Sequence, residues 1–191
     1  MVSNGAETSD ADFSWREFRT KTNGELIGNF GNLIHRILSF IKVNFPEGID
    51  FPKDINGESA EFLQLAEETF SKVGDAIESG RFREGLKEIL KLVEHGNRYI
   101  NDAAPWVTIK TDKVKTANTL AVAGHVIKSL AILVRPFLPR TAEKISNSIG
   151  WKIDNVQWSY PSPGNIAVGE ITPLYKRIEE KDVERQIAKL G

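Results

Sequence analysis

VKTANTLAVAGHVIKSLAILV, residues 114–134, is the most apolar helical pattern in the chain and decides its fold class. Arg135-Pro136 ends this helix, because a proline lacks the backbone N–H and clashes with the preceding turn. Helical patterns with one apolar face lie on both sides of it in the sequence. They are predicted from the capping box at Ser14–Glu17 to the break at Phe45-Pro46, and over about 58–79, 82–103 and 139–149.

The spacing of apolar residues in these segments favours helices over strands. Apolar side chains recur three and four residues apart, and no segment shows the alternation of a half-buried strand. The segments share no repeat period and do not alternate with strands, so neither a solenoid nor a βαβ fold is predicted. We expect an all-α, antiparallel bundle of four or five helices.

The prediction divides the chain into three parts. Residues 1–12 are small and polar and are expected to be disordered, residues 13–150 form the bundle, and residues 151–191 form a loop and a short helix that pack on it. Residues 1–12 lack the charge and apolar run of a signal peptide. We expect no stretch to approach the roughly 20 apolar residues that span a membrane. The expected location is cytoplasmic, with no membrane partner.

Composition and motifs exclude several classes of function. The 191 residues include no cysteine, so neither a disulfide nor a thiolate metal site can form. The net charge of −1 argues against broad binding of nucleic acid, although a small local site could still read a few bases. His35, His95 and His125 lie on separate helical segments, and no phosphate-binding or nucleophile motif occurs. We expect no catalytic residue and no metal site.

Asn32 and Arg36 form the first candidate site, on the polar side of the first predicted helix. They lie four residues apart in GNLIHR, residues 31–36, and are therefore neighbours on the helix surface. The amide can donate and accept hydrogen bonds, and the guanidinium is a planar fork of donors, so together they could read a base edge and hold a phosphate. The alternative is an ordinary solvated helix face.

Trp106 is the second candidate, in the stretch RYINDAAPW, residues 98–106. Pro105 should prevent the helix from continuing and direct the indole away from the helix axis. An indole at a helix end can stack on an unpaired base. The same indole could instead pack beneath the connector with Val107 and Ile109, and both interpretations are open at this point.

Three segments resemble a known family when they are taken in order. They are NGELIGNFGNLIHRILSFI at 23–41, NRYINDAAPW at 97–106 and LAILVRPFLPRTAEKI at 130–145. Together with the flanks DADFSWREF and PLYKRIEEKDVE, they resemble the anticodon-binding bundle of methionyl-tRNA synthetase, a class Ia enzyme, in its eukaryotic and archaeal form. The resemblance implies that Asn32, Arg36 and Trp106 recognise the CAU anticodon, with the indole stacked on the first base.

The same resemblance implies what the chain should lack. A complete synthetase of this class carries HIGH and KMSKS signatures in a catalytic domain that uses ATP, methionine and magnesium, and neither signature occurs here. We therefore expect this chain to need no cofactor and to be inactive alone. Its implied partners are the anticodon loop of methionine tRNA and the catalytic domain. The alternatives are a free-standing module that holds tRNA without decoding and a helical scaffold.

Overall fold

A computed structural model describes residues 13–153 and 157–189, and within them the all-α prediction is confirmed. The helices are α1 (Trp15–Lys21), α2 (Asn32–Asn44), α3 (Gly57–Glu78), α4 (Phe82–Ala103), α5 (Pro105–Thr108), α6 (Lys113–Val134), α7 (Pro139–Ser148) and α8 (Glu180–Ile187). The described residues form no β-strand, and their single β-bridge joins Ile49 to Ile166. The predicted disorder of residues 1–12 lies outside the described residues.

Helix α6 is the centre of the bundle. It is buried on all sides from Leu120 to Ile127, and α2, α3, α4, α5 and α7 pack around it. By length and composition α6 could cross a membrane, so the expectation that no stretch would qualify is wrong. However, 83% of its most apolar window is buried inside the protein. A helix that is apolar on every side must be covered, and here the other helices cover it.

A π-helical segment, Thr22–Gly31, joins α1 to α2 where the sequence predicts one continuous α-helix. In this wider helix, the backbone carbonyl of the residue five positions earlier lies close to each of two glycines. A Cβ added at Gly28 would lie 3.2 Å from the carbonyl oxygen of Asn23, and one at Gly31 would lie 3.0 Å from that of Leu26. Glycine therefore fits at both positions without displacing the backbone.

The last part of the chain returns to the first helix. The side-chain amide of Asn23 donates to the carbonyl of Ile178 at 2.8 Å, and its oxygen accepts from the Ile178 N–H at 3.0 Å. Arg19 forms an ion pair with Glu180 at 2.8 Å. These contacts fasten the start of α8 to α1 and to the π-helical segment, which leads directly into α2 and its polar face.

Candidate nucleic-acid interface

The sharp turn between α4 and α5 determines where Trp106 lies. Ala104 has a φ of 42° and is the only non-glycine residue with a positive φ in the described part of the chain. This left-handed conformation costs an L-residue about 1–2 kcal/mol. The Ala104 carbonyl accepts hydrogen bonds from the N–H groups of Val107 at 2.8 Å and Thr108 at 3.1 Å. Pro105 then begins the single turn of α5, so the chain changes direction as the sequence predicts.

The indole of Trp106 is not in the core. Its residue is 42% exposed, and the next residue, Val107, is 58% exposed, whereas Pro105 beneath them is buried. Helix α5 is held in place on its other side, because the hydroxyls of Thr108 and Thr116 are hydrogen-bonded at 2.8 Å. The structure therefore presents this indole to solvent on a fixed turn.

Arg36 lies over the same indole. Its guanidinium carbon is 5.3 Å from the centroid of the Trp106 ring, within the range of a cation–π contact. One guanidinium nitrogen, Nη2, donates to the side-chain oxygen of Asn101 at 2.8 Å. The Nε atom is buried and has no hydrogen-bond partner among the described residues. No described carboxylate pairs with Arg36, so its charge remains available to an anion.

Asn32 lies one turn before Arg36 on α2 and is exposed. Its side chain makes no hydrogen bond to any of the residues that the structure describes, in contrast to the nearby Asn29. The side-chain oxygen of Asn29 accepts from the amide of Asn97 at 2.6 Å, and this bond joins the π-helical segment to α4. The side-chain oxygen of Asn29 is therefore occupied, whereas no described residue binds the side-chain oxygen or nitrogen of Asn32.

The structure brings together all three predicted site residues and adds a fourth. Arg36 and Trp106 are in contact, Asn32 lies beside Arg36, and Asn101 holds the guanidinium. The sequence motif at 97–106 contains Asn101 but gave no reason to assign it a role. Its partner is 65 residues away in the chain, so no local pattern reports this hydrogen bond.

Two of the three histidines, His95 and His125, are partly or fully buried. Burial lowers the pKa of His125 to about 4, and burial likewise lowers the pKa of His95, whose ring stacks on Phe62 at 5.2 Å. Within residues 13–153 and 157–189, no three histidine or acidic side chains are grouped as a metal site requires. The chemistry that this surface offers is stacking, hydrogen bonding and a positive charge.

Comparison with known families gives two matches. The model of the family described as "Anticodon binding domain of methionyl tRNA ligase" matches residues 52–185, which is more than half of the chain. A second model, described as "tRNA synthetases class I (M)", matches residues 1–38. The first candidate segment, at 31–36, thus falls within the second match and Trp106 within the first.

Several curated relatives are similar over nearly the whole chain. A methionine–tRNA ligase of Pyrococcus furiosus is 40% identical over 182 residues, which cover 93% of this chain and 24% of that protein. Methionine–tRNA ligase 1 of Alkaliphilus oremlandii is 35% identical over 192 residues, covering 100% of this chain and 34% of that protein. This chain therefore spans about a quarter to a third of such relatives.

Solved structures show the same fold. The apo form of Mycobacterium tuberculosis methionyl-tRNA synthetase superposes with a TM-score of 0.78 at 24% identity, over 87% of this chain and 35% of that one. The same enzyme in complex with methionyl-adenylate gives a TM-score of 0.79. Together with the family match over residues 52–185, these similarities establish that the chain belongs to the anticodon-binding domain family of methionyl-tRNA ligases.

Proposed function

We propose that this chain recognises the CAU anticodon of methionine tRNA through Asn32, Arg36 and Trp106. The observation that carries the proposal is the exposed indole of Trp106 beneath the guanidinium of Arg36, which no described carboxylate neutralises. Asn32 lies one turn away on α2, with an amide that no described residue binds. An unpaired base in the anticodon loop would stack on the indole, a contact worth about 1–3 kcal/mol.

Hydrogen bonding would distinguish the first anticodon base. Cytosine carries an amino donor where uracil carries a carbonyl acceptor, and both differ from a purine in size. The amide of Asn32 can accept from the amino group, and the guanidinium of Arg36 can donate to the ring acceptors or to the adjacent phosphate. Because Asn101 holds one end of the guanidinium, less conformational freedom is lost when the base binds.

The activity of a longer protein is also part of the proposal. The relatives are methionine–tRNA ligases, and in such an enzyme this bundle would position the tRNA while a catalytic domain binds ATP, methionine and magnesium. We propose no cofactor for the present chain and a cytoplasmic site of action. Two alternatives make different predictions, since a module that only holds tRNA would ignore the anticodon base and a scaffold would not bind RNA.

A titration with two RNA stem-loops tests the proposal. One carries the CAU anticodon, and the other differs only in the first base. We expect the parent chain to prefer the CAU loop by about 10-fold or more, which corresponds to about 1.4 kcal/mol. Trp106→Ala and Arg36→Ala should each lose this preference.

Trp158 provides a matched control because it is 41% exposed, nearly as much as Trp106, but packs against Phe70 on α3. Trp158→Ala should keep the preference for the CAU loop. Equal binding of both loops by the parent would contradict decoding and favour a module that only holds tRNA. No binding of either loop would favour a scaffold.

A further inference from the structure

We infer that a basic strip formed by Lys42, Lys110 and Lys113 binds the phosphate backbone of the RNA whose anticodon base stacks on Trp106. This inference rests on the proposed function and extends it, from the base that is read to the strand that carries it. Arg36 lies six residues before Lys42 on α2, so the base site and the strip share this helix.

The charges on the chain are distributed unevenly, although the net charge is only −1. Residues 26–46, which include α2, contain Arg36 and Lys42 and no acidic residue. Residues 106–116 contain three lysines and one aspartate, Asp112, whose side chain caps α6 by accepting from the N–H of Lys115 at 2.8 Å. By contrast, α3 contains six acidic residues and one lysine. The two segments 26–46 and 106–116 therefore carry more basic than acidic residues.

Contacts between three helices bring the two lysine-bearing segments together. They are the stacking of Arg36 on Trp106, the hydrogen bond between Thr108 and Thr116, and the position of the Lys113 ammonium 5.4 Å from the ring centroid of Phe45. The first joins α2 to α5, the second joins α5 to α6, and the third joins α6 to the end of α2. The two segments that carry the excess of lysine are thus neighbours in space.

The lysines of the strip are accessible and have no described counter-ion. Lys42, Lys110 and Lys113 are exposed, and none forms an ion pair with a carboxylate in residues 13–153 or 157–189. Val43, beside Lys42, is 77% exposed, so the surface next to that lysine is uncovered as well. Free ammonium groups on an open surface are suited to a polyanion, which exchanges its own counter-ions for them.

The dimensions of the strip suit an RNA strand. Nine residues separate Arg36 from Phe45, where Lys113 lies, which is about 14 Å along a helix axis. The phosphates of one RNA strand could follow a path of this length. Such contacts fix the position of the strand without reading its sequence. The strip should therefore raise affinity for every anticodon loop equally.

Salt-dependent titration of the same two stem-loops tests this inference. We expect Lys110→Gln/Lys113→Gln to bind both loops about 10-fold more weakly while keeping the parent's preference for CAU. The slope of log affinity against log salt should fall by about 0.7 for each phosphate that the variant no longer neutralises. Lys110→Arg/Lys113→Arg should retain affinity and slope, because binding a phosphate requires charge and not a particular side-chain length.

The control removes two exposed lysines elsewhere. Lys87→Gln/Lys181→Gln changes the net charge by the same amount, on α4 far from Trp106 and on α8. If the control weakens binding as much as the strip variant, or if the strip variant retains the parent's slope, the strip is refuted while decoding stands. If the parent does not prefer CAU, the proposed function fails and this inference fails with it.

Discussion

Helices α2 and α3 are built alike on the inside and differ on the outside. Both bury one apolar face in the same core, with Leu38 and Ile41 on α2 and Phe62 and Val73 on α3 almost inaccessible to solvent. The outer face of α3 is acidic and carries an ion pair. On it, the Lys72 Nζ atom lies 3.2 Å from Oε2 of Glu68. The pKa of Glu68 is lowered, and the largest cause is the hydrogen bond from Gln64.

The outer face of α2 contains no acidic residue, and within residues 13–153 and 157–189 neither Asn32 nor Arg36 has a carboxylate partner. The inner faces build the core, whereas the outer face of α2 carries the proposed site. The inner and outer side chains of α2 lie on the same helix, but the inner ones pack in the core and the outer ones face the proposed ligand. Substitutions on one set should therefore leave the property determined by the other set nearly unchanged.

The largest expected effect comes from the inner face of α2. Leu38 is fully buried, so Leu38→Ala removes apolar packing and leaves a cavity, and we expect it to lower the free energy of unfolding by about 2–5 kcal/mol. Urea denaturation measures this decrease. At a temperature where the variant remains folded, its preference for the CAU loop should match that of the parent.

Arg36→Ala supplies the opposite half of this test. Its side chain lies on the outer face, and we expect the free energy of unfolding to change by less than about 1 kcal/mol while the preference for CAU disappears. A large decrease in the stability of this variant would mean that Arg36 serves mainly the fold. The assignment of separate tasks to the two faces of α2 would then be wrong.

Adding an acidic residue to the outer face of α2 should make that face resemble the outer face of α3 and weaken RNA binding. Val43 lies on the exposed line that continues from Asn32 and Arg36, and Val43→Glu would place a carboxylate next to the basic strip. We expect both stem-loops to bind about 10-fold more weakly, because the carboxylate repels phosphates. Stability should stay within about 0.5 kcal/mol of the parent.

Ser71→Glu is the matched control for this charge reversal. Ser71 is exposed on α3, where the added carboxylate joins a face that is already acidic. RNA affinity measured by titration should not change in this variant. If Ser71→Glu weakens binding as much as Val43→Glu does, the effect would come from net charge and not from a local strip.

The sequence predicted the long helices well because their ends carry strong local signals. Helix α4 runs from Phe82 to Ala103, as predicted, between a glycine with a φ of 71° at Gly80 and the proline at Pro105. The four-residue helix α5 was not predicted, since a single turn is too short for a periodic pattern. The left-handed Ala104 was not predicted either, because alanine is not a typical residue for that conformation.

The sequence predicted which residues belong to the candidate site but not how they are arranged in space. Motif resemblance selected Asn32, Arg36 and Trp106, whereas local reasoning about the tryptophan left exposure and burial both open. The deciding fact is a tertiary one, namely that α5 folds beside α2 and brings the indole under the guanidinium at 5.3 Å. Pairings between residues distant in sequence cannot be read from helical periodicity, and the hydrogen bond to Asn101 was missed for the same reason.

The smallest expected effect concerns the π-helical segment, which α3 lacks and which leads directly into Asn32. Replacing a glycine inside a helix by alanine ordinarily stabilises it by about 0.5–1 kcal/mol. At Gly24 the added Cβ would meet nothing within 4 Å, so Gly24→Ala should show that gain in urea denaturation. At Gly31 the Cβ would lie 3.0 Å from the carbonyl oxygen of Leu26, so Gly31→Ala should instead destabilise by about 1 kcal/mol.

Opposite effects of these two substitutions on the free energy of unfolding would indicate that the π-helical winding is needed at Gly31, next to the site. Rewinding of the turn at Gly31 would rotate the next residue, Asn32, so Gly31→Ala should also weaken the preference for CAU in the stem-loop titration. Gly24→Ala should keep the preference, because it leaves that turn unchanged. If both variants gain stability and keep the preference, the π-helical winding has no part in positioning Asn32, and α2 would then differ from α3 only in its outer side chains.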